Sequence, residues 1–227
     1  MNKVRYVTTY ANIILLPCLG ILFEQSNIFL FLTLTMYPIL VFQIYKDHGT
    51  GKRVSFADII TLARFILAAL CMLLLRFVPS SGTLLVFGLL AAAAFTDLLD
   101  GAAARRFGNT EFGADLDMET DAFFFLIISL LGYIFLQLQV WVIIPGLLRY
   151  VFGIIFVFIP DPGEYPLWFL KTTKAVCAVS SALMVAAFIP GADIFVSHAL
   201  FFISAVLLFV SFFIELLLRI RAARGLV

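Results

Sequence analysis

A chain of 227 residues that is 63% hydrophobic and 13% charged, with 26 Phe, carries more apolar side chain than one soluble core of that size uses. A formal net charge of +1 offers no basic surface for nucleic acid, so the Lys and Arg residues carry information through their positions. Soluble-enzyme and nucleic-acid-binding readings fall away, leaving an all-α, polytopic membrane helix bundle as the predicted fold class.

Apolar stretches at 8–23, 28–45, 57–77, 81–99, 114–138, 140–159, 172–190 and 194–218 give eight predicted spans, since a helix needs about 20 mostly apolar residues to cross a bilayer. Lys3 and Arg5 ahead of the first stretch imitate a secretory signal. No small-residue cleavage site follows, however, Pro17 stands directly before Cys18, and the second stretch comes at once. The loop from Lys46 to Arg53, with Gly49 and Gly51, is the clearest internal boundary. Residues 1–53 therefore read as an N-terminal membrane hairpin with its loop, and 54–227 as a six-helix membrane core.

Threading eight spans from a cytoplasmic N-terminus puts Lys46, Lys52, Arg53, Arg105, Arg106, Lys171, Lys174, Arg219, Arg221 and Arg224 on the inner side. Only Arg76 is left near the outer face, which satisfies the positive-inside rule. Arg64 and Arg149 remain inside spans, where a cation is costly and marks either a functional residue or an ion pair. Cys18, Cys71 and Cys177 stand singly in apolar runs, which suits small buried hydrophobes and not redox or zinc chemistry.

One segment breaks the apolar pattern, TDLLDGAAARRFGNTEFGADLDMETDAF at 96–123, and the threading sets it at the cytoplasmic interface. If the helix of 81–99 continues through Arg105, at about 100° per residue Asp97, Asp100, Gly101 and Ala104 share one face with Arg105 at its edge. A second helix starting near Phe112 puts Gly113, Asp117 and Asp121 on one stripe and turns Asp115 and Glu119 to the opposite side. Four carboxylates facing one another beside an apolar slab repel unless protonated, paired with cations or bridged by metal ions. Arg105 and Arg106 are too few to balance them. An all-oxygen cluster suits Mg²⁺, Mn²⁺ or Ca²⁺, and the lack of nearby His or Cys argues against zinc and copper. Two divalent ions would balance the charge, and such a pair can clamp a diphosphate.

The frame Asp97-x2-Asp100-Gly101-x2-Ala104-Arg105, followed by Gly113-x3-Asp117-x3-Asp121, resembles the signature of the CDP-alcohol phosphatidyltransferases, integral-membrane enzymes of phospholipid synthesis. The segment between Arg105 and Gly113 is one residue shorter than the family's usual spacing. Asp58-Ile-Ile-Thr61-Leu-Ala-Arg64 is similar to the family's Asn-x2-Thr-x2-Arg stretch, with Asp in place of Asn. The resemblance implies a six-helix core over roughly 55–220, with the first two spans as an addition. It implies that Asp97, Asp100, Asp117 and Asp121 hold two Mg²⁺ or Mn²⁺ ions and that Asp97, Gly101, Ala104, Arg105 and Gly113 line a CDP site. It further implies that Asp121 is the base for an acceptor hydroxyl, that a phosphatidyl group passes from a CDP-linked lipid to a small alcohol with release of CMP, and that the enzyme is a homodimer.

After the motif the core contributes three cations, Arg149 inside a span and Lys171 and Lys174 at the start of the next. They are the expected acceptor-binding residues and favour an anionic acceptor such as glycerol 3-phosphate, because a guanidinium fork matches a phosphate or carboxylate oxygen pair. Snorkelling and topology account for the two lysines equally well. Two rival readings are a membrane prenyltransferase, which also holds a diphosphate on aspartate-rich helices, and a transporter with intramembrane carboxylates. The first lacks the Asp-Gly-x2-Ala-Arg frame, and the second leaves the register of Gly101, Arg105 and Gly113 unexplained.

Overall fold

The computed structural model describes residues 3–23, 26–48, 56–74, 83–107, 111–163 and 165–224, without the side chains of 26–31, 56–57, 74, 83, 97–107 and 111. Among the described residues the chain forms eight α-helices and no strand. They are α1 (Lys3–Leu22), α2 (Ser26–His48), α3 (Phe56–Leu74), α4 (Thr83–Phe107), α5 (Glu111–Ile134), α6 (Ile144–Phe158), α7 (Leu167–Ala186) and α8 (Ile194–Ala223), with a 3-10 turn at Val140–Ile143 before α6. Each predicted apolar stretch overlaps one helix, in order, although 135–138 and 187–190 lie past the ends of α5 and α7 and 75–77 and 81–82 lie outside the described residues. By length and composition, Lys3–Leu22, Val140–Phe158, Leu167–Ala186 and Ile194–Ala223 are each apolar enough to cross a membrane.

Burial is arranged for lipid surroundings. On α8, Phe195, Phe202, Val206, Phe209 and Phe213 are exposed, while Ser197, Ser204 and Ser211 are buried beside Phe201 and Leu208. A soluble protein would reverse that order. In a bilayer the large apolar side chains meet lipid, and small hydroxyl residues let helices approach and bond across the contact. Ser197 Oγ accordingly donates to Ala187 O at 3.0 Å, and Ser204 Oγ shares its one proton between Leu200 O at 2.9 Å in its own helix and Ser180 O of α7 at 3.2 Å.

α5 is the central element. Residues 122–132 are buried without interruption, and α2, α3, α6 and α7 all pack on it. A helix that is apolar all round is stable only when enclosed on all sides, which explains its place. α6 comes closest: a Cβ on Gly146 would fall inside contact distance of the Leu126 backbone, and the Gly146 N–H donates to Ser129 Oγ at 3.1 Å.

The N-terminal pair α1 and α2 is fastened to the same helix by polar contacts. Tyr37 of α2 lies 2.7 Å from Thr120 Oγ1. Since the Thr120 hydroxyl gives its proton to Leu116 O, the Tyr37 O–H is the donor. Gln43 Nε2 donates to Thr9 Oγ1 at 2.7 Å, tying α2 to α1. The Tyr10 ring packs over Gly153 of α6, where any Cβ would collide with it.

Candidate active site

The acidic segment spans the end of α4 and the start of α5. α4 runs on as helix through Phe107, so Asp97, Asp100, Gly101, Ala104 and Arg105 occupy its last turns. Their side chains lie outside the described residues. α5 begins at Glu111, ahead of Gly113, Asp117 and Asp121. Gly113 is buried, and Asp117 and Asp121 are 45% and 30% exposed. The two carboxylates share a cation from α3: Arg64, 1% exposed, contacts Asp121 through Nη1 and Asp117 through Nη2 at 3.2 Å. Asp58 and Thr61 are buried on α3 in the two turns before it.

Arg64, one of two cations that the sequence leaves inside a span, thus has its anions. The guanidinium lowers the repulsion between two carboxylates one helical turn apart, and burial fixes its rotamer, which holds them in a set orientation. The space around Asp121 and Arg64 is closed by Phe124 and Phe125 of α5 and by Cys177 and Ser181 of α7. Lys174 stands one turn before Cys177 on α7 and is exposed, as is Lys171.

Across α5 the opposite face carries a second polar set. Asp115 is bonded to His48 Nε2 at 2.8 Å. Glu119 is only 3% exposed, accepts from the Tyr10 O–H at 2.6 Å and from Arg149 Nη2 at 3.3 Å, and so neutralises the second cation inside a span. The structure therefore separates the expected site residues. Asp117 and Asp121 gather with Arg64, whereas Arg149 faces Glu119 in a cavity that neither Lys171 nor Lys174 lines. Sequence reasoning did not single out Tyr10, and it set Glu119 aside as a bystander on the face opposite the site. The available signal was Arg149 itself, because a cation inside a span demands an anion and the register leaves Glu119 without another task.

Among the described residues no group of three or more His, Cys, Asp or Glu is arranged to hold a metal ion. Asp117 and Asp121 nevertheless offer a partly open, all-oxygen donor pair; Asp97 and Asp100 belong to the last turns of α4, and their side chains lie outside the described residues. That donor set fits a hard divalent cation.

Comparison with protein families gives one match: the model of the CDP-alcohol phosphatidyltransferase family aligns with residues 54–217, which take in all of α3 to α7 and most of α8. No curated protein and no solved structure matches the chain.

Proposed function

Because the chain belongs to the CDP-alcohol phosphatidyltransferase family, whose members transfer substituted phosphate groups in phospholipid synthesis within the membrane, we propose that it moves a phosphatidyl group from a CDP-linked lipid to a small anionic alcohol. The observation that carries this reading is the pairing of Asp117 and Asp121 on one stripe of α5, held by the buried Arg64. It lies within the segment that matches the family.

The acceptor oxygen attacks the phosphorus that bears the lipid, a new P–O bond forms, the bond to the cytidylyl oxygen breaks, and CMP departs. The hydroxyl proton must leave as attack proceeds, and Asp121, oriented by Arg64, takes it. Asp97, Asp100, Asp117 and Asp121 would hold two Mg²⁺ or Mn²⁺ ions, whose chemistry when bound is to polarise the phosphorus and offset charge on the leaving oxygen. Gly101, Ala104 and Gly113 leave room for the nucleotide to approach the backbone, with Asp97 and Arg105 beside it. Lys171 and Lys174 at the start of α7 carry the case for an anionic acceptor such as glycerol 3-phosphate. Lys174 leads down the helix to Cys177 and Ser181, which border Asp121. Arg149 is turned to Glu119.

In this reading residues 1–53 are a membrane hairpin added to a catalytic unit of 54–227, the site faces the cytoplasm, and the enzyme works as a homodimer, which sedimentation in detergent measures. The decisive experiment is an assay of the purified protein with radiolabelled CDP-diacylglycerol against a panel of acceptors. CMP and a phosphodiester lipid should appear with a phosphorylated polyol and stop reversibly on chelation. Undiminished CMP release in excess EDTA would remove the metal requirement, and use of a neutral polyol alone would remove the anionic acceptor.

A further inference from the structure

Behind the reacting carboxylates, on the face of α5 that holds Asp115 and Glu119, lies a cavity of about 370 Å³ bounded by α1, α5, α6 and the end of α8. Its volume is at the lower end of the range for small-molecule sites. It is separate from the candidate active site, since neither Asp117 nor Asp121 lines it. α1, which supplies Lys3, Tyr6 and Tyr10, lies outside the segment that matches the family.

The charges in the wall balance: Lys3, Arg149 and Arg219 against Asp115, Glu119 and Asp161. Some of these are committed to one another. Arg219 reaches Asp161 at 3.1 Å and Glu215 at 2.8 Å, and Asp115 holds His48. Arg149 and Glu119 are not saturated. Apart from the Tyr10 bond to Glu119 and a 3.0 Å contact from Arg149 Nη2 to Met118 Sδ, they share a single contact at 3.3 Å, and Arg149 Nε and Glu119 Oε2 are buried with no hydrogen-bond partner among the described residues. A buried polar atom without a partner costs about 1–3 kcal/mol, and more on a charged group. One unsatisfied donor on a cation and one unsatisfied acceptor on an anion, side by side, ask for a ligand that carries both complements.

A plain anion entering the cavity would meet Glu119, and a plain cation would meet Arg149. A molecule with both charges avoids either clash. Its ammonium is suited to Glu119 and to the rings of Tyr6 and Tyr10, which attract cations, and its carboxylate or phosphate to Arg149 and Lys3 at the mouth.

We propose that the α1/α5/α6/α8 cavity binds a small zwitterion bearing an ammonium and a carboxylate or phosphate, at a site distinct from Asp117 and Asp121. Two sources carry that chemistry: a free amino acid or phosphorylated amino alcohol, and the headgroup of a zwitterionic phospholipid.

Binding here requires neither CDP nor turnover, so it is measured directly by calorimetry on the purified full-length protein. The free probes are L-serine and phosphoethanolamine as zwitterions, with ethanolamine and propionate, an anion without a hydroxyl and so not an acceptor, as singly signed controls. Saturable binding of a zwitterion, weakened about tenfold by Glu119→Gln and unchanged by Asp117→Asn, is the expected result. Lys3→Ala, at an exposed position, is expected to weaken it by about threefold and serves should Glu119→Gln fail to fold. Repeating the titration in nanodiscs separates the sources. Competition by phosphatidylethanolamine but not phosphatidylglycerol assigns the site to a headgroup, and equal affinity in both assigns it to the free molecule. Absence of saturable zwitterion binding, equal binding of the singly signed controls, or loss in Asp117→Asn with retention in Glu119→Gln and Lys3→Ala would each overturn the proposal.

Discussion

Asp117 and Glu119 are neighbours in sequence, yet about 200° apart around α5, and substitution should pull their roles apart. Asp117→Asn and Asp121→Asn are expected to abolish CMP release. Asp115→Asn should retain most of it, because Asp115 is half exposed and loses only a surface pair with His48, worth less than about 1 kcal/mol. Equal losses in all three folded variants would mean that the assigned faces are wrong. Glu119→Ala acts on stability instead: Arg149 loses its buried anion, at a cost of about 3 kcal/mol, visible as a lower unfolding midpoint in detergent. Replacing both partners by Leu should recover most of that loss, since two apolar groups leave no charge uncompensated. Both cations, Arg64 and Arg149, were legible in the sequence as costly groups inside spans. Their partners were not. The Arg64 contacts bridge 57 and 53 residues and the Arg149 contact 30, distances over which no helical periodicity operates.

Among the helices, sequence and structure differ mainly at the polar ends. Hydropathy ended the fourth predicted span at 99, and the helix taken to continue beyond it through Arg105 does so, with α4 running to Phe107. The backbone follows helix propensity, and the Ala and Arg residues after Asp100 sustain a helix that the bilayer no longer requires. The same reasoning accounts for α8, which runs to Ala223 through Arg219 and Arg221. The predicted stretch 140–159 instead opens as a 3-10 turn, with Pro145 in the first turn of α6, where its missing N–H costs nothing. Helix contacts are not read from such patterns, and glycine substitution tests them. Gly146→Ala should destabilise by about 1–3 kcal/mol, because Leu126 backbone occupies the space. Gly88→Ala, with nothing within 4 Å of the added carbon, should be neutral or stabilising by up to about 1 kcal/mol. Comparable unfolding midpoints for the two variants would contradict the close approach of α6 to α5.

For the molecule as a whole, the count and order of the helices were legible because bilayer thickness sets their length. How α1 and α2 attach was not, because it depends on single polar contacts such as Tyr10 to Glu119 and Tyr37 to Thr120. If all eight helices cross the bilayer, both chain ends lie on one side. In a cysteine-free variant, a cysteine at Gly191, in the turn before α8, should label from outside intact cells, and one at Arg224 only after permeabilisation. The reverse pattern would turn the aspartates outward. The attachment of α1 and α2 also has a mechanical side. Tyr10 and Tyr37 grip α5 from behind, so they set its azimuth, the angle at which it stands about its own long axis. A roll of about 20° would sweep a side chain at the rim of the helix through about 2 Å, more than the misplacement of about 1 Å that can cost two orders of magnitude in rate. Loosening either tyrosine contact is therefore expected to slow CMP release by shifting Asp117 and Asp121, with every side chain of the candidate site still in place.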